Sequence, residues 1–121
     1  MTPWIGVDFD GTLATYEGDQ FPACGEPIPL MVGRVKQWLA EGKDVQIVTA
    51  RADKPEHITP VEDWCETHLG HRLPVRADKD FMMIELWDDR AKQVIPNTGL
   101  AVERLLLAIW PHYRSFLEIP Q

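Results

Sequence analysis

A short apolar run that leads directly into carboxylates restricts the fold of this chain more than any other feature. Trp4-Ile5-Gly6-Val7 has the composition of a buried strand, and acids follow it at once. Two later apolar runs, over residues 45–48 and 83–87, are also followed by polar side chains. Ligands of parallel sheets bind beyond the carboxyl ends of the strands, so this pattern predicts one site built from several strand ends. The polar residues after the three runs are Asp8 and Asp10, Thr49 and Arg51, and Asp88 and Asp89.

Segments with helical periodicity separate these runs. Pro29 suits the first turn of a helix, and apolar residues recur at helical spacing until Gly42. Thr59-Pro60-Val61-Glu62 is a capping-box pattern, which predicts a second helix that starts there and runs to about Leu69. Two further elements are expected, a strand over residues 73–76 and a last helix over residues 100–110.

Strands that alternate with helices predict βαβ units. We therefore expect an α/β fold, a Rossmann-like three-layer αβα sandwich with a central, mainly parallel sheet. The length of 121 residues suits one domain that covers residues 1–121.

Composition narrows the possible partners. The formal charge is -7, with 19 acids against 12 Lys plus Arg, and this disfavours general binding to nucleic acids. No apolar run approaches the roughly 18 residues that span a membrane, and the start of the chain does not resemble a secretion signal. The two cysteines, Cys24 and Cys65, suggest reduced thiols in a cytoplasmic protein.

Two pairs of acids are the strongest candidates for a metal site. Asp8 and Asp10 repel each other at neutral pH unless they share a proton or a cation, and Mg²⁺ prefers oxygen ligands. The alternative is a solvated turn at Asp10-Gly11. Asp88-Asp89 after an apolar strand also favours a cation, with a salt bridge to a nearby base as the alternative.

Three other polar residues have weaker support. Thr49 can donate to a phosphate oxygen, or it can be a strand residue chosen for β-propensity. Arg51 can hold an anion through two hydrogen bonds, although loop arginines are often only solvated. Lys79 can neutralise a phosphate, or it can be an ordinary surface lysine.

The ordered motifs resemble those of the haloacid dehalogenase superfamily over about residues 4–95. The resemblance is carried by Asp8-Phe9-Asp10-Gly11-Thr12, Ile47-Val48-Thr49-Ala50-Arg51, Lys79 and Trp87-Asp88-Asp89-Arg90-Ala91. An acid at the position of Asp10 is similar to the phosphatase and phosphomutase branch of that superfamily. The resemblance implies hydrolysis of a phosphate ester.

The resemblance also implies a role for each motif residue. Asp8 would be the nucleophile, Asp10 the acid–base group, and Thr49 and Lys79 the residues that hold the phosphoryl oxygens. Substrate contacts are expected from Gly11, Thr12, Ala50 and Arg51. Mg²⁺ would be held by Asp8, Asp10, Asp88 and Asp89, together with the carbonyl of Phe9.

No segment is long enough to form a cap domain, so we expect an open site bordered by residues 13–29 and 52–59. The expected protein is an uncapped, magnesium-dependent phosphomonoesterase, monomeric or homodimeric, with a phosphorylated substrate. Two alternatives stay open. One is a nucleotidase or a phosphatase of polynucleotide or protein ends, and the other is an inactive phosphate- or metal-binding interaction module.

Overall fold

Four parallel strands form the central sheet of this protein. The computed structural model describes residues 2–18 and 20–102. The strands lie in the order β3-β2-β1-β4, so β1 is central and β4 is an edge. This all-parallel sheet with its flanking helices confirms the predicted Rossmann-like α/β class, and the described residues contain no cap domain. The strands are β1 (Trp4–Val7), β2 (Asp44–Val48), β3 (Val75–Arg76) and β4 (Met83–Trp87).

Two helices connect the first three strands. Helix α1 (Pro29–Ala40) begins at the proline that the sequence indicates, and Gly42, with φ of 79°, follows its end. A 3-10 helix (Ala50–Asp53) precedes α2 (Pro55–Leu69). Both connections therefore have the βαβ form that parallel neighbouring strands require.

The core lies between the sheet and these two helices. Ile5 and Val7 of β1 project from one face, next to Val45 and Ile47 of β2. The same buried cluster contains residues of both helices, so α1 and α2 cover this face. Their buried contributors are Met31 and Val35 from α1, and Val61, Trp64, Cys65 and Leu69 from α2.

Residues 77–82 connect β3 to β4 without a helix. At the start of β1, the indole of Trp4 donates a hydrogen bond to Asp80 at 2.9 Å. The backbone amide of Trp4 donates to the carbonyl of Met82, also at 2.9 Å. This loop therefore passes the amino end of β1 before β4 begins.

The strand register brings the predicted polar residues to one edge of the sheet. Val7 pairs with Ile47 on one side and with Trp87 on the other. The amide of Asp8 then donates to the carbonyl of Trp87 at 2.8 Å. Residues that follow Val7 and Trp87 in the chain are consequently neighbours beyond the carboxyl ends of β1 and β4.

Two element boundaries differ from the sequence prediction. The capping box at Thr59 is wrong, because α2 begins at Pro55 and contains Pro60. Pro55 already has the φ angle that a helix start needs, and the buried face of α2 keeps the segment helical through Pro60. Strand β3 is shorter than predicted, since Leu73 is a buried core residue before the strand.

The chain divides into two compact units, Met1–Asp89 and Arg90–Gln121. In the second unit, Val94 pairs with Ala101 and the amide of Ile95 donates to Leu100 at 2.9 Å, which closes a turn. The predicted helix over residues 100–110 falls almost wholly outside the described residues. The single-domain interpretation stays a prediction. Among the described helices, none is long and apolar enough to cross a membrane.

Candidate functional site

Three carboxylates converge beyond the ends of β1 and β4. Asp8, Asp88 and Asp89 each place one oxygen within 4.8 Å of the other two. Asp8 directly follows β1, and the two neighbouring acids directly follow β4, so adjacent parallel strands create the cluster. The structure therefore brings together three of the four acids that the sequence indicated as metal ligands.

Asp8 has the most perturbed environment of the three acids. Burial, a hydrogen bond with Asp89 and the negative charge of Asp88 raise the pKa of the Asp8 carboxyl from 3.8 to about 7. A hydrogen bond from the amide of Phe9 acts in the opposite direction. The three acids thus repel one another at neutral pH, and a cation would relieve that repulsion.

A tight turn at Gly11 closes one side of the cluster. Gly11 has φ of 85°, which glycine adopts without strain. The hydroxyl of Thr12 donates to Asp89 at 3.2 Å and lies 3.5 Å from Oδ2 of Asp8. Thr12 therefore connects two members of the cluster, and its expected substrate contact stays a prediction.

The carbonyl of Phe9 does not fit the expected role of a metal ligand. It accepts backbone hydrogen bonds from Leu13 and Ala14, both at 3.0 Å, and a longer one of 3.3 Å from Thr12. A carbonyl oxygen has two lone pairs, and this turn occupies them. The Phe9 carbonyl is therefore not a candidate metal ligand.

Asp10 is held by Arg51 and is not a member of the cluster. Nε of Arg51 lies 2.7 Å from Oδ2 of Asp10, and Nη2 lies 2.9 Å from Oδ1. Arg51 also donates to the carbonyls of Pro22 and Ala23 at 2.8 and 2.9 Å. The guanidinium is buried, so the expected substrate contact of Arg51 is replaced by contacts within the protein.

Thr49 and Ala50 lie at the end of β2. Thr49 is buried, and its hydroxyl oxygen accepts a hydrogen bond from the amide of Arg51 at 3.1 Å. This contact caps the 3-10 helix that begins at Ala50. Because the hydroxyl accepts there, its own hydrogen can be donated to another group. Ala50 is exposed.

Lys79 occupies the loop that precedes β4. The next residue, Asp80, is bonded to Trp4 at the amino end of β1, whereas Asp8 follows the carboxyl end of the same strand. Lys79 is exposed, and it forms no ion pair within the described part of the chain. Its predicted contact with a phosphoryl group stays a prediction.

The loop between Leu13 and Ile28 contributes groups that sequence reasoning missed. The carbonyls of Pro22 and Ala23 bind Arg51, and the ring of Phe21 lies 4.9 Å from the guanidinium carbon. Backbone carbonyls carry no sequence signature. The sequence indicated Arg51 as an anion contact or a solvated loop residue, and gave no sign that it would pair with Asp10.

The chain is thus a small α/β protein with an acidic cluster at the carboxyl edge of a parallel sheet. No family model matches the chain, and no curated protein matches it. One solved structure is similar, that of a conserved protein coded by a locus from Bacteroides thetaiotaomicron. The TM-score is 0.61 at 19% sequence identity, over 98% of this chain and 100% of the other. This likeness supports the fold.

Proposed function

We propose that this protein is a magnesium-dependent phosphomonoesterase that resembles the haloacid dehalogenase superfamily. The observation that carries the proposal is the convergence of Asp8, Asp88 and Asp89 beyond two adjacent parallel strands. The turn at Gly11 and the buried residue Thr49 lie at the same edge of the sheet. Such an edge is where α/β proteins bind their ligands.

The donor set fits Mg²⁺. All three side chains offer carboxylate oxygens, and Mg²⁺ is usually bound through a few carboxylates, with water and substrate phosphate as its other ligands. When bound, the ion would supply positive charge that offsets the repulsion between an aspartate nucleophile and a phosphate dianion. Asp8, Asp88 and Asp89 would hold it.

The side chains then have distinct chemical roles. An oxygen of Asp8 attacks phosphorus, the ester bond breaks, and an aspartyl-phosphate forms. The Asp10 carboxylate takes a proton from the water that hydrolyses the intermediate and gives that proton to the departing oxygen in the next turnover. Thr49 would hold a phosphoryl oxygen through its hydroxyl hydrogen. The expected contact of Lys79 has no such support, because the neighbouring Asp80 binds Trp4 at the amino end of β1.

The test is turnover of a nitrophenyl phosphate ester by the purified full chain. We expect activity with Mg²⁺, none in excess chelator, and little with Ca²⁺, whose looser coordination disturbs the in-line geometry. Asp8→Asn should abolish turnover and any phosphoenzyme. Asp63→Asn is the matched control, because Asp63 is an exposed acid on α2 paired with Arg72. Full activity in chelator would contradict the metal requirement.

One alternative substrate class belongs to the same function. Residues 2–18 and 20–102 contain no cap domain, and an uncapped site would admit the ends of polynucleotides or phosphopeptides. A panel of phosphorylated metabolites, nucleotides, oligonucleotides and phosphopeptides separates these classes by kcat/KM. Binding of phosphate or Mg²⁺ without turnover of any ester would instead favour an inactive interaction module.

A cytoplasmic location and a monomeric or homodimeric state belong to the same proposal. Cell fractionation tests the location, and light scattering tests the oligomeric state.

A further inference from the structure

Arg51 is unusually fixed for an arginine beside a candidate active site. Only 5% of its surface is exposed. Four of its five N–H groups donate within the protein, two to Asp10 and one each to Pro22 and Ala23. A phosphate could accept two N–H groups of this guanidinium only by displacing one of these partners.

Two aromatic rings add to the hydrogen bonds. The guanidinium carbon lies 5.6 Å from the ring centre of Phe9 and 4.9 Å from that of Phe21. Contacts of this type orient a planar guanidinium, which an ammonium group cannot replace. Rings and carbonyls together fix the plane of Arg51, and its two parallel hydrogen bonds fix the plane of the Asp10 carboxylate.

We propose that Arg51 is a positioning residue that holds the carboxylate of Asp10 in the orientation of its acid–base step. The inference rests on the proposed function. It also makes the acid–base step of Asp10 depend on the loop around Phe21, because the two carbonyls that accept hydrogen bonds from Arg51 belong to this loop. Arg51 acts through Asp10 and does not touch the substrate.

The experiment is a double-mutant cycle measured with two leaving groups. Arg51→Lys, Asp10→Asn and the double variant are assayed on an alkyl phosphate, which needs a proton on its leaving oxygen, and on nitrophenyl phosphate, which does not. We expect Arg51→Lys to lower kcat on the alkyl ester about 10- to 100-fold, with KM changed by less than about threefold. The loss on nitrophenyl phosphate should be clearly smaller. In the Asp10→Asn background, the same substitution should change kcat by less than about twofold.

Two results would overturn the inference while the proposed function stands. A raised KM with unchanged kcat would make Arg51 a direct substrate contact. An equal loss with and without the Asp10 carboxylate would show that Arg51 acts independently of it. Absence of activity in the unmodified protein, by contrast, would contradict the proposed function itself.

Phe21→Leu covers the case in which Arg51→Lys does not fold. Phe21 is 46% exposed, so its replacement removes a ring contact of Arg51 and leaves the hydrogen bonds in place. In this variant kcat should fall more on the alkyl ester than on nitrophenyl phosphate, by a smaller factor than in Arg51→Lys. The thermal midpoint should be unchanged. Equal effects on both esters in the folded Phe21→Leu variant would also contradict the positioning role.

Discussion

The backbone of Gly11 lies against the carboxylate of Asp89. A Cβ atom added to Gly11 would stand 2.5 Å from Oδ2 of Asp89 and 3.0 Å from its carboxyl carbon. Both residues belong to the acidic edge, one from the turn after β1 and the other from the segment after β4. The geometry of the carboxylate cluster therefore depends on the absence of a side chain at Gly11.

Gly11→Ala should disturb this cluster. The new methyl group displaces Asp89, and φ of 85° strains any residue with a Cβ atom by about 1–2 kcal/mol. We expect a lower free energy of unfolding in urea and a Mg²⁺ affinity weaker by about tenfold or more, as when a group that orients a metal ligand is lost. Calorimetric titration measures the affinity.

Gly33→Ala is the matched control for that substitution. Gly33 lies within α1, and no atom lies within 4 Å of a Cβ atom added there. Alanine in a helix is more stable than glycine by about 0.5–1 kcal/mol, so this variant should be slightly stabilised with unchanged Mg²⁺ binding. Equal losses of affinity in both variants would show that Gly11 has no special role.

Thr49 combines a capping contact with a proposed substrate contact, and two substitutions separate them. Thr49→Ser keeps the hydroxyl that accepts from the amide of Arg51. Thr49→Val removes it and should cost about 1 kcal/mol in unfolding free energy, the usual value for a lost cap. We expect the valine variant also to have a raised KM for phosphate esters, and the serine variant to stay within about threefold of the original. An unchanged KM in a folded Thr49→Val variant would remove Thr49 from the substrate site.

Much of this architecture follows from the sequence because the signals are local. Trp4–Val7 is an apolar run bounded by an acid, and Pro29 and Gly42 delimit a periodic segment, so strand and helix are recognised from neighbouring residues. The order of the strands also brings Asp8 next to Asp88, as the family resemblance implied. The fold class can therefore be predicted from the sequence.

The sequence does not determine which way a polar side chain turns. Asp10 is two residues from Asp8, yet it pairs with Arg51, 41 residues away in the chain. That contact depends on the path of the loop that carries Pro22 and Ala23, which no periodicity describes. The start of α2 was mistaken for a related reason, since Pro55 and Thr59-Pro60 are both acceptable helix starts and tertiary packing decides between them.

The path of the loop whose carbonyls bind Arg51 depends on a second glycine, Gly25. A Cβ atom at Gly25 would overlap the carbonyl oxygen of Thr15, and the carbonyl of Gly25 accepts a hydrogen bond from the indole of Trp64 at 2.8 Å. Gly25→Ala should therefore shift the loop and withdraw the carbonyl of Ala23 from Arg51. We expect a lowered thermal midpoint and a kcat loss that is larger for an alkyl phosphate than for nitrophenyl phosphate. The same kcat ratio for the two esters as in the unmodified protein would show that the loop does not influence Asp10.

The metal-free protein should lose stability as pH rises towards neutrality. The folded-state pKa of Asp8, about 7, lies above its ordinary value of 3.8, so the folded protein binds more protons than the unfolded chain between these values. The contribution of Asp8 to unfolding free energy therefore falls from about pH 4 to 7 and is constant above that range. Urea denaturation at several pH values, with chelator present, measures it. Asp8→Asn should flatten this part of the profile and Asp63→Asn should not.

Binding of Mg²⁺ should reverse that loss and release a proton. Because the ion needs the ionised form of Asp8, binding below pH 7 must displace the proton that burial and the neighbouring acids keep there. The apparent affinity should rise by up to about tenfold per pH unit below 7 and level off above it. Calorimetry at pH 6 in two buffers of different ionisation enthalpy should show close to one proton released per ion, and far less at pH 8. Equal proton release at both pH values would mean that Asp8 is not the group that the ion deprotonates. In Asp8→Asn the release should disappear, whereas Asp63→Asn, with its exposed carboxylate on α2, should retain it.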